Sequence, residues 1–382
     1  MHRSRVGVVL IDHPRPRSEA TQRFWEAAVG VPAADPSKTY GSLGWLDGVE
    51  FAFQHLEEGA PRVHLDVESD DVAAEVARLV GLGASVRVDH GEYAELADPD
   101  GLVFCVVPVQ TGPARFRAGA VGRSGPGEDG VDWWAWQRSW DRQQEAFLPD
   151  REERLAALFD AVEATAGTEP RVLDLAGGTG SITIRLLERF AGASAVLVDA
   201  DPALLRIAEH TIGRNDRVRI ARADLRDPGW VEALPDSAGP FDAVLTATAL
   251  HWFTRARIVG LYGELAGLLR PGGLFGNADH MPDPGLPALS ARLADLAERR
   301  REQAYRDGVA ETWPGWWQRA RESAELGDAV AERDLIFGDP DPDRWKPTHD
   351  RQLEALRDAG FGEVGLVWRG GSDAAFVAVR PD

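Results

Sequence analysis

Residues 172–181 read "VLDLAGGTGS", and this stretch constrains the fold more than any other part of the chain. A short apolar run ends in a cluster of glycines, and an amphipathic segment, "ITIRLLERF", follows at once. This order predicts a strand, a tight turn and a helix. Glycine allows the turn to adopt positive φ and allows a ligand to approach the backbone at the start of the helix. The stretch therefore predicts a ligand-binding turn after a strand of an α/β sheet.

Two kinds of phosphate-binding turn can be tested at this position. A P-loop ends in Gly-Lys-Ser or Gly-Lys-Thr, but here Gly178 is followed by Thr179, Gly180 and Ser181, with no lysine nearby. That excludes a P-loop. A dinucleotide-binding turn favours a third Gly or Ala where this chain has Thr183, which weakens the dinucleotide interpretation and leaves it open.

Charge and cysteine content exclude several classes of function. The 382 residues carry a formal net charge of -20, which repels polyanions, so neither nucleic acid nor an anionic membrane is an expected partner. The single cysteine, Cys105, excludes internal disulfides and multi-cysteine zinc sites. The sequence shows no long apolar run and no signal-peptide pattern, so we expect a cytoplasmic protein.

The first part of the chain contains an internal repeat. "RVGVVL" and "RVHLDV" each begin a unit of strand, helix and about three strands, which predicts one α+β domain of two paired βαβββ modules over residues 1–109. Residues 110–130 are rich in Gly, Pro, Ser and Arg without hydrophobic periodicity, and they are predicted to form a linker.

The repeat resembles a known family. "RVHLDVESDDVAAEVARLVGLGA" and "LADPDGLVFCVV" are similar to the glyoxalase-like domain of the vicinal-oxygen-chelate superfamily, over residues 5–109. The resemblance places its four metal-binding positions at Gly7, Ala52, His64 and Cys105. Only the last two can bind a metal, whereas a catalytic metal usually has about three protein ligands. We therefore expect a metal-free domain, with a structural His64, that binds an organic molecule or a second copy of itself.

From residue 131 the pattern changes to alternating strands and helices. Apolar runs begin at residues 171, 194, 218, 241 and 274, and helical segments separate most of them. This order predicts a doubly wound, mostly parallel sheet with helices on both faces. The final strands, "EVGLVWR" and "DAAFVAVRP", are joined by "GGSD", a turn so short that it predicts an antiparallel hairpin.

A seven-stranded parallel sheet closed by an antiparallel hairpin, with a glycine turn after its first strand, resembles the class I S-adenosylmethionine-dependent methyltransferases over residues 131–382. The turn departs from the family at Ala176, which often is glycine there, and we expect its backbone to avoid strain. The insertion at residues 282–346 is expected to form a helical lid. Its tryptophans either contact a flat acceptor or pack the lid on the core; they are Trp313, Trp316 and Trp317.

The resemblance implies S-adenosylmethionine (SAM) as cofactor. Asp199 is expected to accept hydrogen bonds from the ribose hydroxyls, and Asp224 with the Leu225 backbone to meet the adenine. Asp174 is expected to hold either the loop or the methionine ammonium. The complete predicted set is Asp174, Ala176, Gly178, Gly180, Asp199, Ala200, Asp224, Leu225 and Thr246.

Two histidines are candidate catalytic bases. His251 follows the fourth strand and His280 the fifth, at the carboxyl rim where open α/β sheets bind ligands. Either can remove a proton from a hydroxyl acceptor, and position favours His280.

The expected function is methyl transfer to a small aromatic or polycyclic molecule of secondary metabolism, with O-methylation favoured. Two alternatives stay open: a metabolite- or drug-binding protein with an idle transferase domain, and a SAM-using enzyme that does not methylate, such as a cyclase. The intact binding set argues against the idle domain. A homodimer formed through residues 1–109 is the expected assembly.

Overall fold

The computed structural model describes residues 2–14, 18–29, 40–46, 48–57, 60–113, 115–116, 121–123, 130–235, 239–338 and 342–382. The chain divides into two compact units, Met1–Trp134 and Ala135–Asp382, so the division falls four residues after the predicted linker ends. None of the helices in the described ranges is long and apolar enough to cross a membrane.

The N-terminal unit contains one mixed sheet. Its strands are β1 (His2–Pro14), β2 (Tyr40–Leu46), β3 (Val49–Leu56), β4 (Arg62–Ser69), β5 (Ser85–Asp89), β6 (Ala94–Ala97), β7 (Val103–Pro108) and β8 (Val121–Arg123), and its helices are α1 (Ser18–Val29) and α2 (Val72–Gly81). Seven strands follow the order β2-β3-β1-β4-β7-β6-β5, and β8 pairs with β1. The second module has the predicted strand, helix and three strands; the described residues of the first hold β1, α1, β2 and β3.

Strand β8 lies inside residues 110–130, the segment predicted to be a linker. The strand forms because of the length of β1. Its partner β3 begins opposite Val8, which leaves the edge at residues 2–4 open, and β8 pairs antiparallel with His2 through Ser4 there. Strand edges left unpaired and buried are costly, and three residues are too few to show a hydrophobic period.

The C-terminal sheet confirms the predicted α/β class. Its strands are β9 (Arg171–Leu175), β10 (Ser194–Asp199), β11 (Val218–Arg222), β12 (Phe241–Ala247), β13 (Leu269–His280), β14 (Glu363–Gly370) and β15 (Asp373–Val379). They follow the order β11-β10-β9-β12-β13-β15-β14. The first five are mutually parallel, and β15 is antiparallel to both β13 and β14.

Helices cover this sheet, and both of its faces are buried. They are α3 (Trp133–Phe147), α4 (Arg151–Ala166), α5 (Ser181–Arg189), α6 (Pro202–Thr211), α7 (Arg255–Leu268), α8 (Pro287–Arg306), α9 (Trp313–Glu322), α10 (Gly327–Phe337) and α11 (His349–Asp358). Val172 belongs to one buried cluster, and its neighbours Leu173 and Leu175 to another. Successive strand residues point to opposite faces, so apolar contacts fix the register of β9 on both sides.

The insertion contributes α8, α9 and α10. Trp316 is fully buried, lies against Trp136 and Trp140 of α3 with ring centroids 5.7 and 4.9 Å away, and donates from Nε1 to Ser139 Oγ at 2.9 Å. This tryptophan therefore packs the insertion on the core, which is one of the two roles expected for the group.

Candidate functional site

The glycine turn begins in a left-handed conformation. Ala176 has φ +53°, so the expectation of an unstrained backbone was wrong. An L-residue there pays about 1–2 kcal/mol relative to its right-handed conformation. The turn nevertheless forms because the next amide, that of Gly177, donates to the carbonyl of Val198 at the end of β10, at 3.1 Å.

Two glycines of the turn have different roles. Gly178 has φ +55°, and a Cβ added there would lie in ordinary contact, 3.4 Å from Leu204 Cδ1. Gly180 has φ +83°, and its Cβ would lie only 2.5 Å from Ile212 Cδ1. Gly180 is therefore required for packing under the turn, whereas Gly178 leaves room on the side where a ligand approaches.

Asp174 holds the turn. Its Oδ2 accepts from Thr183 N at 3.0 Å and from Thr183 Oγ1 at 2.7 Å, which fixes the first turn of α5 to β9. The other oxygen is buried without a hydrogen-bond partner. Burial raises the pKa of Asp174 to about 6, against the lowering effect of the Thr183 hydrogen bonds.

Asp199 joins the turn to the next strand. Its Oδ2 accepts from Gly178 N at 2.8 Å, and its Oδ1 accepts from Asp201 N at 2.8 Å. Burial, together with the nearby carboxylate of Asp201, raises the pKa of Asp199 to about 6. The carboxylate also accepts a backbone hydrogen bond from Ala200, so three backbone amides hold this side chain at the cavity wall.

A cavity of about 1000 Å³ opens at this carboxyl edge of the sheet. Six of the nine residues predicted to bind the cofactor line it, at or just after the ends of β9, β10 and β11: Ala176, Gly178, Asp199, Ala200, Asp224 and Leu225. Gly180 and Asp174 do not line it and support the turn from below. Thr246 is fully buried in β12, with Oγ1 unpaired, and lies outside the lining, where Ala247 and Thr248 are found instead.

Asp224 is already paired. Its carboxylate accepts from the Arg226 side chain at 2.6–2.9 Å and from Arg226 N at 2.8 Å. Burial acts to raise the pKa of Asp224, but the Arg226 hydrogen bonds outweigh it and lower that pKa. The carbonyl of Leu225 accepts from Arg257 Nε. Both residues are held rigidly at the cavity wall.

The two histidines form separate pairs with carboxylates. His251 Nδ1 donates to Asp279 Oδ1 at 2.7 Å, and His280 Nδ1 donates to Asp373 Oδ1 at 2.7 Å. Their ring centroids are 5.6 Å apart. The Asp373 hydrogen bond raises the pKa of His280. Neither ring belongs to the cavity lining, although Trp252 and Phe253, directly after His251, do.

Sequence reasoning missed one wall of the cavity. Trp140, Gln144, Leu148, Arg151 and Leu155 line it. Trp140 and Gln144 are four residues apart on α3, Arg151 and Leu155 are four apart on α4, and Leu148 lies between the two helices. Arg151 donates to Asp141 Oδ1 at 2.6 Å and places a guanidinium beside the glycine turn. The insertion adds a further aromatic wall, with Trp313, Trp317 and Phe337.

The N-terminal unit does not present the four metal positions of the glyoxalase-like family. Ala52 has no ligand atom, and a side chain at Gly7 would meet the Glu68 carboxyl carbon at 2.3 Å. Asp66, which the sequence reasoning overlooked, lies beside the other two positions: ligand atoms of His64, Asp66 and Cys105 all lie within 4.8 Å of one another. The signal was present, since residues two apart in "HLD" share one face of a strand.

Comparisons with known proteins agree with both units. Residues 8–107 match the glyoxalase-like domain family, and residues 172–273 match the methyltransferase domain family. An uncharacterized methyltransferase of Mycobacterium tuberculosis is 38% identical over 106 residues, which cover 28% of this chain and 38% of that protein. The malonyl-[acyl-carrier protein] O-methyltransferase of Geobacter sulfurreducens is 32% identical over 124 residues, covering 32% and 42%.

Among solved structures, an O-methyltransferase family protein from Burkholderia thailandensis matches with a TM-score of 0.38 and 19% identity, over 65% of this chain and 70% of that one. The chain spans about two fifths of the length of the curated relatives described above.

Proposed function

We propose that this chain, which joins a glyoxalase-like domain to a methyltransferase domain, is a SAM-dependent methyltransferase that acts on a small molecule. One observation carries the proposal. The glycine turn after β9, Asp199 at the end of β10 and the Asp224–Leu225 pair after β11 line the same cavity at the carboxyl edge of a parallel sheet.

The cavity residues suit the parts of the cofactor. The Asp199 carboxylate lines the cavity and suits the ribose hydroxyls, and the room beside Gly178 suits a nucleoside that lies against the backbone. The guanidinium of Arg151 suits the carboxylate of the methionine end. When bound, SAM supplies a methyl group already activated on a sulfonium, so the protein has only to align the acceptor and, for a hydroxyl, to accept its proton.

The remaining wall indicates the acceptor. Trp140, Trp313, Trp317 and Phe337 contribute aromatic surface, which favours a flat or apolar molecule. The O-methyltransferase activity named for the Geobacter relative supports oxygen as the acceptor atom. A small aromatic or polycyclic compound of secondary metabolism, methylated on oxygen in the cytoplasm, is the proposed substrate class.

His280 is the proposed base. The Asp373 carboxylate orients its ring through Nδ1, which leaves Nε2 to accept a proton. This is the arrangement in which an acid holds a histidine in the tautomer that works as a base. His251 has the same kind of partner in Asp279 and is the comparison for mutagenesis.

The test is a product assay with the full chain. Purified protein is incubated with SAM and a panel of phenols and polycyclic alcohols, and both S-adenosylhomocysteine (SAH) and methylated product are measured by mass spectrometry. Equal amounts of the two support the proposal. SAH binding without any methylated product, or with a cyclised one, would contradict it. Mass in solution, with and without residues 1–125, tests the proposed homodimer.

A further inference from the structure

The geometry points to a zinc-type divalent metal site in the N-terminal unit, formed by His64 and Asp66 of β4 and Cys105 of β7. This set differs from the one that the family resemblance implies, because it takes all three ligands from the second module. It lies outside the methyltransferase domain and does not rest on the proposed methyl transfer.

The ligand atoms of the three residues all lie within 4.8 Å of one another, and one pair is already at a metal-binding separation. Asp66 and Cys105 are register partners on adjacent parallel strands, and His64 precedes Asp66 by two residues on the same face. The His64 Nε2 to Asp66 Oδ1 distance is 3.5 Å. Ligands about 2.0–2.3 Å from a tetrahedral zinc lie about 3.3–3.8 Å from one another. A metal therefore needs only small side-chain adjustments to reach all three.

His64 supplies an independent indication of a ligand. The residue is 7% exposed, and its ring nitrogens lie 3.4 Å from Asp12 Oδ2 and 3.5 Å from Asp66 Oδ1, longer than the usual hydrogen-bond distance. Buried imidazole nitrogens with such distant partners are costly. A cation beside Nε2 would satisfy the nitrogen that faces Asp66.

A buried carboxylate, that of Asp12, lies on the side of the His64 ring away from Asp66. Nδ1 of His64 lies 3.4 Å from Asp12 Oδ2, and the same oxygen accepts from Arg62 Nε at 2.8 Å. Metal-binding histidines usually present their second ring nitrogen to a carboxylate, which fixes the tautomer and the ring orientation. Asp12 is fully buried and occupies that position here.

The charge and the chemical type of the three ligand side chains favour zinc. Asp66 and Cys105 are both buried, at 7% and 6% exposure, beside the ring of His64. A divalent cation offsets both negative ligands and makes the thiolate favourable, and the Cys105 proton is released to solvent. Thiolate, imidazole and carboxylate together suit zinc, and three protein ligands leave a fourth position open. The expectation of a metal-free domain rested on two ligands, and Asp66 supplies a third.

Cobalt(II) gives the sharpest test, because Cys105 is the single cysteine of the chain. The full chain, stripped with a chelator and kept reduced, is titrated with cobalt chloride and then with zinc chloride. We expect one equivalent to bind, a near-ultraviolet thiolate-to-cobalt band to appear, and zinc to abolish that band. Calorimetry in buffers of different ionisation enthalpy should show about one proton released per zinc at pH 7.

Variants locate the site. Cys105→Ser should lose the band, Asp66→Asn should weaken zinc binding at least tenfold, and Asp12→Asn should weaken it 10- to 100-fold with unchanged stoichiometry. His90→Ala, at an exposed histidine of the same unit, is the matched control and should bind as the wild type does. Circular dichroism verifies that each variant is folded. Absence of stoichiometric binding, or of the thiolate band in the wild-type protein, overturns the proposal even if every variant fails to fold.

Discussion

The substitution Gly178→Ala separates the ligand-binding role of the glycine turn from its role in stability. Gly178 has φ +55°, so a side chain there costs about 1–2 kcal/mol in backbone strain. Alanine also lowers the conformational entropy of the unfolded chain, which stabilises the folded state by about 0.4–1 kcal/mol. The added Cβ meets no atom closer than 3.4 Å, so packing adds little. The expected net loss of folding free energy is about 1 kcal/mol.

Binding should suffer much more, because the new methyl group occupies the cavity wall where a nucleoside must approach. Forcing a methyl into a filled contact costs about 1–3 kcal/mol, so we expect SAH affinity to fall about tenfold or more. Gly308→Ala is the matched control: its φ is +69°, its Cβ would meet nothing within 4 Å, and it lies outside the cavity lining. Urea denaturation should show equal losses of stability in the two variants. Titration calorimetry should show normal SAH binding for Gly308→Ala and weakened SAH binding for Gly178→Ala. Equal SAH affinities in the two variants would refute the argument.

Four further outcomes are expected. If His280 is the base, the rate constant kcat should rise with pH through a pKa above the ordinary 6.5 of histidine, because only the neutral ring accepts a proton. The variant Asp373→Asn should move this rise to lower pH. A pH profile that the variant leaves unchanged would exclude His280. His280→Ala should lower kcat about 10²- to 10⁴-fold with little change in SAH affinity, whereas His251→Ala should affect binding or folding. Ala176→Gly should leave the free energy of unfolding unchanged or raise it by up to about 1 kcal/mol in urea denaturation, since it relieves the positive φ; a loss of stability would count against strain at this residue. Methyl transfer should survive EDTA, because the activated methyl group needs no Lewis acid; a rate lost with EDTA and restored by zinc would contradict this.

The C-terminal fold was predictable because its signals are local and redundant. The strand before the glycine turn is marked in the sequence by the short apolar run at residues 172–175. The link "GGSD" is too short for anything but a hairpin between β14 and β15. The end of β10 could be placed to the residue, so Asp199 was assigned to the carboxyl edge that the structure shows.

Features that depend on tertiary contacts were not predictable in the same way. The left-handed φ of Ala176 is imposed by the Gly177 hydrogen bond to β10, which no local pattern reveals. Strand β8 exists because β1 is longer than β3. The partner that orients the His280 ring is Asp373, 93 residues further along the chain.

Calorimetric titration of the full chain with SAH and, separately, with NADH tests the cofactor assignment most directly. We expect one SAH site per chain and weaker binding to Asp199→Ala, by about 1.5–3 kcal/mol for each charged hydrogen bond lost. Asp227→Ala is the control, since Asp227 accepts from Gly229 N at a helix start outside the cavity lining and should bind SAH normally when replaced. Tight binding of NADH without binding of SAH would contradict the account and return the glycine turn to the dinucleotide-binding class.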